Sequence, residues 1–225
     1  MPGYYETSLC ALKLKKCYDI APSRIKQYLQ AEIDFVLERV GRKDIVLDLG
    51  CGYGRVMLYL TKKVKFIHGI DTSIQSLIYG KEYLKNAQHF SLLHMDASKL
   101  SYSDSTMDVV LCLQNGLSAF HTDQRALIKE AIRVVKPGGK VLFSTYSEKF
   151  WEPRLKWFMA QSKAGLLGEI DPEKTKNGSI VCRDGFISSL VTPKKFHELT
   201  RWIRGIKLVV REVDDSCLFF EIRKE

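Results

Sequence analysis

At 225 residues, 45% hydrophobic and 27% charged, the chain has the makeup of an ordinary globular protein, somewhat long for one compact domain and short for two. No apolar run approaches the ~20 residues of a membrane span. The opening Met1-Pro-Gly-Tyr-Tyr-Glu-Thr has no basic stretch leading into an apolar one, so no secretory leader or membrane partner is expected and the expected location is cytoplasmic. The formal charge of +9 raises a nucleic-acid partner. Yet the basic residues are dispersed, often at helix-surface spacing as in Arg24, Lys26, Arg39 and Lys43, which suits solvated faces or attraction of a small anion better than an RNA or DNA footprint.

Residues 1–20 carry Tyr4, Tyr5 and Tyr18, and read either as a lid over a site or as a loose tail. Residues 22–40 place Ile25, Tyr28, Leu29, Ile33, Val36, Leu37 and Val40 at spacings of three and four, with Pro22 in the first turn and Gly41 beyond the end. That is an amphipathic helix. Next comes Ile45-Val-Leu-Asp-Leu-Gly-Cys-Gly-Tyr-Gly54, followed by a helix from about Arg55. A strand, a glycine turn and a helix start present backbone N–H groups to a ligand. Glycines let the backbone approach that ligand closely and take positive φ. The spacing is G-x-G-x-G, not the G-x-G-x-x-G of a dinucleotide site. Asp48, two residues before Gly50, would repel a pyrophosphate, so a ligand bearing positive charge fits better.

A second strand over residues 66–70 ends at Asp71, the distance at which a βαβ unit places its ribose-binding acid. Asp71 could instead cap the helix starting near Ser73. Further helices are expected over residues 74–86 and 123–135, and strands over 90–94, 109–113 and 140–146. Strands alternating with helices make a parallel sheet covered on both faces and connected right-handedly. Beyond Tyr146 come an aromatic helix over 150–167, a polar stretch over 168–178 and extended chain over 179–191. A helix opened by Thr192-Pro193 runs to about Arg204, and a hairpin pairs residues 206–213 with 217–223. The six cysteines form no C-x-x-C pair and no zinc pattern, so reduced thiols and no metal are expected.

From about Asp44 onward the chain resembles the class I S-adenosylmethionine-dependent methyltransferases, small-molecule type. Val46-Leu-Asp-Leu-Gly-Cys-Gly-Tyr-Gly54 is similar to their first motif and Gly69-Ile-Asp71 to their second-strand acid. Met95-Asp-Ala97 is similar to their adenine-recognition turn, Met107-Asp-Val-Val-Leu-Cys-Leu-Gln114 to their fourth strand, and residues 133–143 to the helix, turn and fifth strand that follow. The resemblance implies a Rossmann-like, seven-stranded, mostly parallel α/β sheet with helices on both faces and an antiparallel C-terminal strand. It implies S-adenosylmethionine as cofactor, with Asp48, Gly50, Cys51, Gly52, Gly54, Asp71, Thr72, Asp96, Ala97 and Gln114 around it. One domain is expected over residues 1–225, with a helical cap over 1–41, the cofactor core over 42–146, a lid or insertion over 147–191, and a helix and hairpin over 192–225.

The expected reaction is direct displacement of the methyl group onto a small-molecule nucleophile, for which alignment can supply much of the catalysis. The catalytic candidates are Asn115, His121 and Tyr5. Asn115 follows the fourth strand but could be only the first half of an Asn-Gly turn. His121 could act as a base or merely enter the next helix. Tyr4, Tyr5, Tyr18, Tyr146, Trp151 and Trp157 could line an aromatic pocket or fill core, and Arg183 is a candidate anion clamp. The alternatives are an RNA-modifying methyltransferase, an NAD-dependent oxidoreductase, which the glycine spacing and the hairpin disfavour, and a non-catalytic partner subunit, which the intact motifs disfavour. The oligomeric state is not legible.

Overall fold

Ile45–Leu49 forms β1, with every side chain from Val46 to Leu49 buried, because a parallel strand covered by helices has no solvent face. The computed structural model describes residues 3–225; Met1 and Pro2 of the N-terminal segment lie outside the described residues. Around β1 stand β2 (Phe66–Asp71), β3 (Phe90–His94), β4 (Met107–Cys112) and β5 (Val135–Tyr146), all parallel. β6 (Ser179–Val181) and β7 (Ile187–Ser189) pair as a separate two-stranded sheet. β8 (Ile206–Val213) and β9 (Cys217–Lys224) form the C-terminal hairpin. The main sheet has seven strands in the order β3-β2-β1-β4-β5-β9-β8, and β9 runs antiparallel to β5. This is the mostly parallel sheet with an antiparallel last strand that the sequence predicts.

The period of two along each strand divides the core between the two faces. Val46, Val109, Leu111 and Leu142 join one cluster; Leu47, Val110, Cys112, Val141 and Phe143 join the other. The first cluster is covered by α3 (Ser23–Leu37) and α8 (Trp151–Lys163), the second by α7 (Gln124–Val134) and α9 (Pro193–Thr200). The remaining helices are α1 (Tyr4–Thr7), α2 (Ala11–Asp19), α4 (Met57–Leu60), α5 (Ile74–Tyr83) and α6 (Gly116–Ala119). The chain leaves β1 toward β2 and β3 and returns to place β4 on the other side of β1. The strand order therefore reverses between β1 and β4, the place where an open α/β sheet leaves a crevice at its strand ends.

Local chemistry sets the element ends. Thr192 Oγ1 accepts from the Lys195 N–H and Pro193 opens α9; Asp123 caps α7 and Ser73 caps α5 in the same way. α4 starts at Met57, later than Arg55, because residues 52–56 are spent in turns. β5 starts at Val135, earlier than residue 140, since Met107 pairs with Val135 before a bulge resets the register to Val109 with Lys140. No helix among the described residues is long and apolar enough to cross a membrane.

Candidate active site

The ends of β1, β2 and β4 open on a cavity of about 340 Å³, within the range of small-molecule sites. Its floor is the parallel core: Gly50, Gly52, Asp71, Thr72, Asp96, Ala97 and Gln114 all line it. Its opposite wall comes from elsewhere in the chain, with Tyr5, Leu14 and Tyr18 from the N-terminal helices, Tyr146 from β5, and Trp157, Phe158 and Gln161 from α8. A smaller pocket adjoins it, lined by Asp48, Cys51 and Arg55 and sharing Gly50, Gly52 and Gln114.

The glycine turn is built as its sequence requires, with φ of +71° at Gly50, +56° at Gly52 and +87° at Gly54. A Cβ on Gly50 would stand 2.4 Å from the Phe120 ring, and one on Gly54 would stand 2.6 Å from Leu84. Gly54 lines neither pocket; its role is close packing against Leu84 at the end of α5. The turn also corrects one expectation. The N–H groups of Gly50 and Cys51 both donate to the Ile70 carbonyl, that of Gly52 to Asp71 Oδ2 and that of Gly54 to the Cys51 carbonyl. Three of those donors hold the turn onto β2 and the fourth closes the turn on itself, so none of the four is left for a ligand.

Asp71 accepts from Gly52 N–H at 2.8 Å and from Ser73 N–H at 2.8 Å, one bond per carboxylate oxygen. Ser73, not Asp71, is the N-cap of α5. Each Asp71 oxygen keeps a lone pair for a further donor, and burial raises its pKa against the pull of those N–H groups. Asp96 uses only Oδ1, which accepts from the Ser98 N–H and hydroxyl at 2.8 and 2.7 Å. His94 bonds the Thr72 carbonyl through Nε2 at 3.0 Å.

Three charged groups sit behind the turn. Asp48 is 4% exposed, and burial pushes its carboxyl up to about 7, against the opposing effect of Arg55. Arg55 lies 3.6 Å from fully buried Glu32 and 4.8 Å over the Tyr18 ring, yet its buried Nη2 makes no hydrogen bond. Glu32 accepts from the Gln114 N–H at 3.0 Å, from the Gln114 side-chain amide and from the Ser144 hydroxyl. It thereby fixes Gln114, which like the next residue, Asn115, is left-handed, at φ +53° and +60°. Two such residues in succession are strained backbone of the kind that gathers at functional sites. The sequence reading missed Glu32 and Arg55. The signal for Glu32 was an acid on the apolar stripe of α3, four residues after Tyr28; for Arg55 it was the lone cation abutting the glycine turn.

Of the three catalytic candidates, only Tyr5 lines the cavity. His121 is exposed, at φ +50°, and does not line it, although Phe120 and Thr122 do. Asn115 is 2% exposed and both ends of its amide are engaged, Nδ2 with the Ser189 carbonyl at 2.9 Å and Oδ1 with the Thr145 hydroxyl at 2.8 Å. It tethers β7 to the main sheet. Arg183 is a surface residue paired with Glu169 at 3.2 Å. Tyr4 and Trp151 lie off the cavity, while Tyr5, Tyr18, Tyr146 and Trp157 line it. Burial raises the pKa of the Tyr5, Tyr18 and Tyr146 hydroxyls and of the Cys51 and Cys112 thiols. These groups are neutral near pH 7 and serve as donors and apolar surface, not as nucleophiles.

A family model described as a methyltransferase domain matches residues 46–139, the stretch holding the cavity floor. The malonyl-acyl-carrier-protein O-methyltransferase of Marinomonas sp. is 33% identical over 60% of this chain and 52% of its own length. The 2-methyl-6-phytyl-1,4-hydroquinone methyltransferase of Synechocystis sp. is 30% identical over 58% of this chain and 46% of its own. The chain thus spans about half the length of the curated relatives it matches. The crystal structure of an S-adenosylmethionine-dependent methyltransferase from Methanosarcina mazei has the same fold, with a TM-score of 0.62 and 23% identity over 84% of this chain and 96% of that one. With its strand order, its glycine turn and its acids at the strand ends, the chain has the fold of solved S-adenosylmethionine-dependent methyltransferases, and its residues 46–139 match the methyltransferase-domain family.

Proposed function

We propose that this protein transfers a methyl group from S-adenosylmethionine to a small-molecule acceptor held in the aromatic half of the cavity. The observation that carries this reading is the division of one cavity into an acid-lined floor at the strand ends and an aromatic wall supplied by α1, α2, β5 and α8. The donor set fits the cofactor. Asp71 keeps lone pairs for a ribose diol, and Asp96 keeps Oδ2 for an exocyclic amine beside Ala97. Asp48 and the turn carbonyls suit an ammonium, while Nη2 of Arg55, which pairs with Glu32 at 3.6 Å but makes no hydrogen bond, suits a carboxylate. When bound, the cofactor supplies a methyl group activated by a sulfonium.

The chain's own residues then hold, orient and exclude water. Gln114, locked by Glu32 and Tyr28, gives the end of β4 a fixed shape. Tyr5, Tyr18 and Trp157 cover the cavity from above, and in this reading residues 3–20 and 147–191 act as its cap and lid. Among the described residues the wall's one carboxylate is Glu6, which accepts from the Gly3 N–H, and catalysis by alignment, worth roughly 7–11 kcal/mol when near-attack geometry is good, needs no base. The two relatives named above act on different acceptors, so they support methyl transfer without choosing an acceptor for this chain.

Calorimetry tests the reading. S-adenosylhomocysteine should bind at micromolar strength or better and NADH much more weakly. Asp71→Asn should weaken that binding about tenfold, as losing an acceptor for neutral donors costs roughly 1–3 kcal/mol. Tight NADH binding without response to S-adenosylhomocysteine would overturn the reading.

A further inference from the structure

The buried face of α8 consists of Arg154, Trp157, Phe158 and Gln161, at spacings of three and four. Two apolar rings on such a face are ordinary core. A guanidinium and an amide are not, and each is left incomplete. Gln161 is 2% exposed, lines the cavity, and its Nε2 makes no hydrogen bond. Arg154 is fully buried, donating to the carbonyls of Gly178 at 2.9 Å and Ser188 at 2.7 Å and to the Ser188 hydroxyl at 2.8 Å. Its Nε has no partner, and among the described residues it forms no ion pair. Its guanidinium lies 4.4 Å over the Tyr146 ring and 5.6 Å over the Phe158 ring, and both rings line the cavity. Arg154 therefore stands directly behind the aromatic wall.

A buried donor without a partner and a buried cation without a counter-ion both cost stability. They are accounted for together if a ligand brings an acceptor and a negative charge to this wall. The carboxylates lining the cavity are Asp71 and Asp96 on the floor and Glu6, which accepts from the Gly3 N–H at 3.2 Å. None bonds Gln161 or Arg154. Trp157 cannot serve as the donor, because its Nε1 is spent on the Cys17 carbonyl at 2.9 Å.

We infer that the acceptor is a planar, ring-bearing acid, its ring among Tyr18, Tyr146, Trp157 and Phe158 and its carboxylate taking a hydrogen bond from Gln161 in the field of Arg154. This rests on the methyltransferase reading above and adds the acceptor's chemical class. Gln161 is then a specificity residue that touches substrate, and Arg154 a positioning residue acting through the wall.

The test is calorimetry on the full chain saturated with S-adenosylhomocysteine, using 4-hydroxybenzoate, 4-hydroxyphenylacetate and 4-hydroxycinnamate, each beside its methyl ester. At least one acid should bind about tenfold or more tightly than its ester. Gln161→Met, which keeps the volume and removes the donor, should erase that preference, and Gln161→Glu should reverse it. Because the wild-type amide is unpartnered, Gln161→Met should melt no lower than wild type, which separates a binding role from a structural one. Equal binding of every acid and ester, binding of none of the acids, a preference that survives Gln161→Met, or a large drop in melting temperature for that variant would each overturn the inference while leaving the cofactor reading intact. Failure to bind S-adenosylhomocysteine would overturn both.

Discussion

Asp48 stands in the field of Arg55, Asp71 and Glu32, and its burial holds a proton that an exposed aspartate loses near 3.8 up to about 7. The sign of the linkage follows directly. Between those two values the folded chain keeps the proton and the unfolded chain has released it, so stability falls as pH rises through that window. The contribution is fully present below 3.8 and lost above about 7. Asp48→Asn should therefore flatten the pH dependence of ligand-free stability between about pH 4 and 7 and leave the variant more stable than wild type above that range. Urea denaturation of both proteins across this range measures it. Parallel curves would mean that Asp48 is already ionised in the folded chain. The turn beside it carries the same lesson about single residues: Gly54 is required by packing against Leu84, while Gly50 is pressed against Phe120 on the cavity floor.

Among the elements, α1 and α2 decide how closed the cavity is. Leu9 and Cys17 are each 2% exposed and belong to the core, so this segment is packed structure, not a loose tail. Two bonds fasten it to the far side of the cavity: Tyr4 Oη to Asp184 at 2.6 Å and Trp157 Nε1 to the Cys17 carbonyl at 2.9 Å. Tyr4 and Tyr5 also meet the Phe186 ring edge-on, at 5.0 and 6.0 Å between centroids. Tyr4→Phe keeps those ring contacts and deletes the first bond, worth about 0.5–1.5 kcal/mol. Limited proteolysis at residues 13–16 should then speed up a few-fold while the circular dichroism spectrum is unchanged, and S-adenosylhomocysteine should slow it again in both proteins. Identical cleavage rates would mean that the Tyr4 bond does not hold the segment down.

For the whole molecule, the 35 basic residues outnumber the 26 acidic ones by nine, and several of them are engaged in the structure's own pairs. Arg24 meets Asp214, Arg39 meets Glu221, Arg133 meets Asp104 and Glu130, and Lys136 meets Asp108. These pairs knit helices, loops and strands together. S-adenosylhomocysteine at about 100 times its dissociation constant should stabilise the fold by ~2.7 kcal/mol, a rise in Tm of about 5–10 °C for a chain this size. Mixed-sequence RNA should give no comparable shift, and any binding at low salt should vanish by about 200 mM. An RNA-induced shift that survives that salt would favour the nucleic-acid alternative.

Local signals determined much of this protein without help from the fold. Hydrophobic period, capping residues and glycine spacing are properties of short segments, so β1 to β4, the cap of α9, the C-terminal hairpin and the strand-end acid Asp71 were legible, while Asp96 was legible only through the resemblance of residues 95–97 to the family's adenine-recognition turn. That the sheet is parallel and covered on both faces followed from alternation and handedness, which are rules about neighbours in sequence, while its seven strands and antiparallel last strand were implied by the family resemblance. Long-range meetings had no such signature. That Glu32 on α3 fixes Gln114 beyond β4, that Asn115 is a tether to β7, and that Gln161 brings an unbonded amide nitrogen and Arg154 a guanidinium without a counter-ion to the wall of the same cavity depended on how α3, α8 and the N-terminal helices fold across the strand ends. Hydrogen bonds and burial are decided by which groups meet in space, and residues as far apart as Glu32 and Gln114 or Asn115 and Ser189 meet only once the sheet has been built.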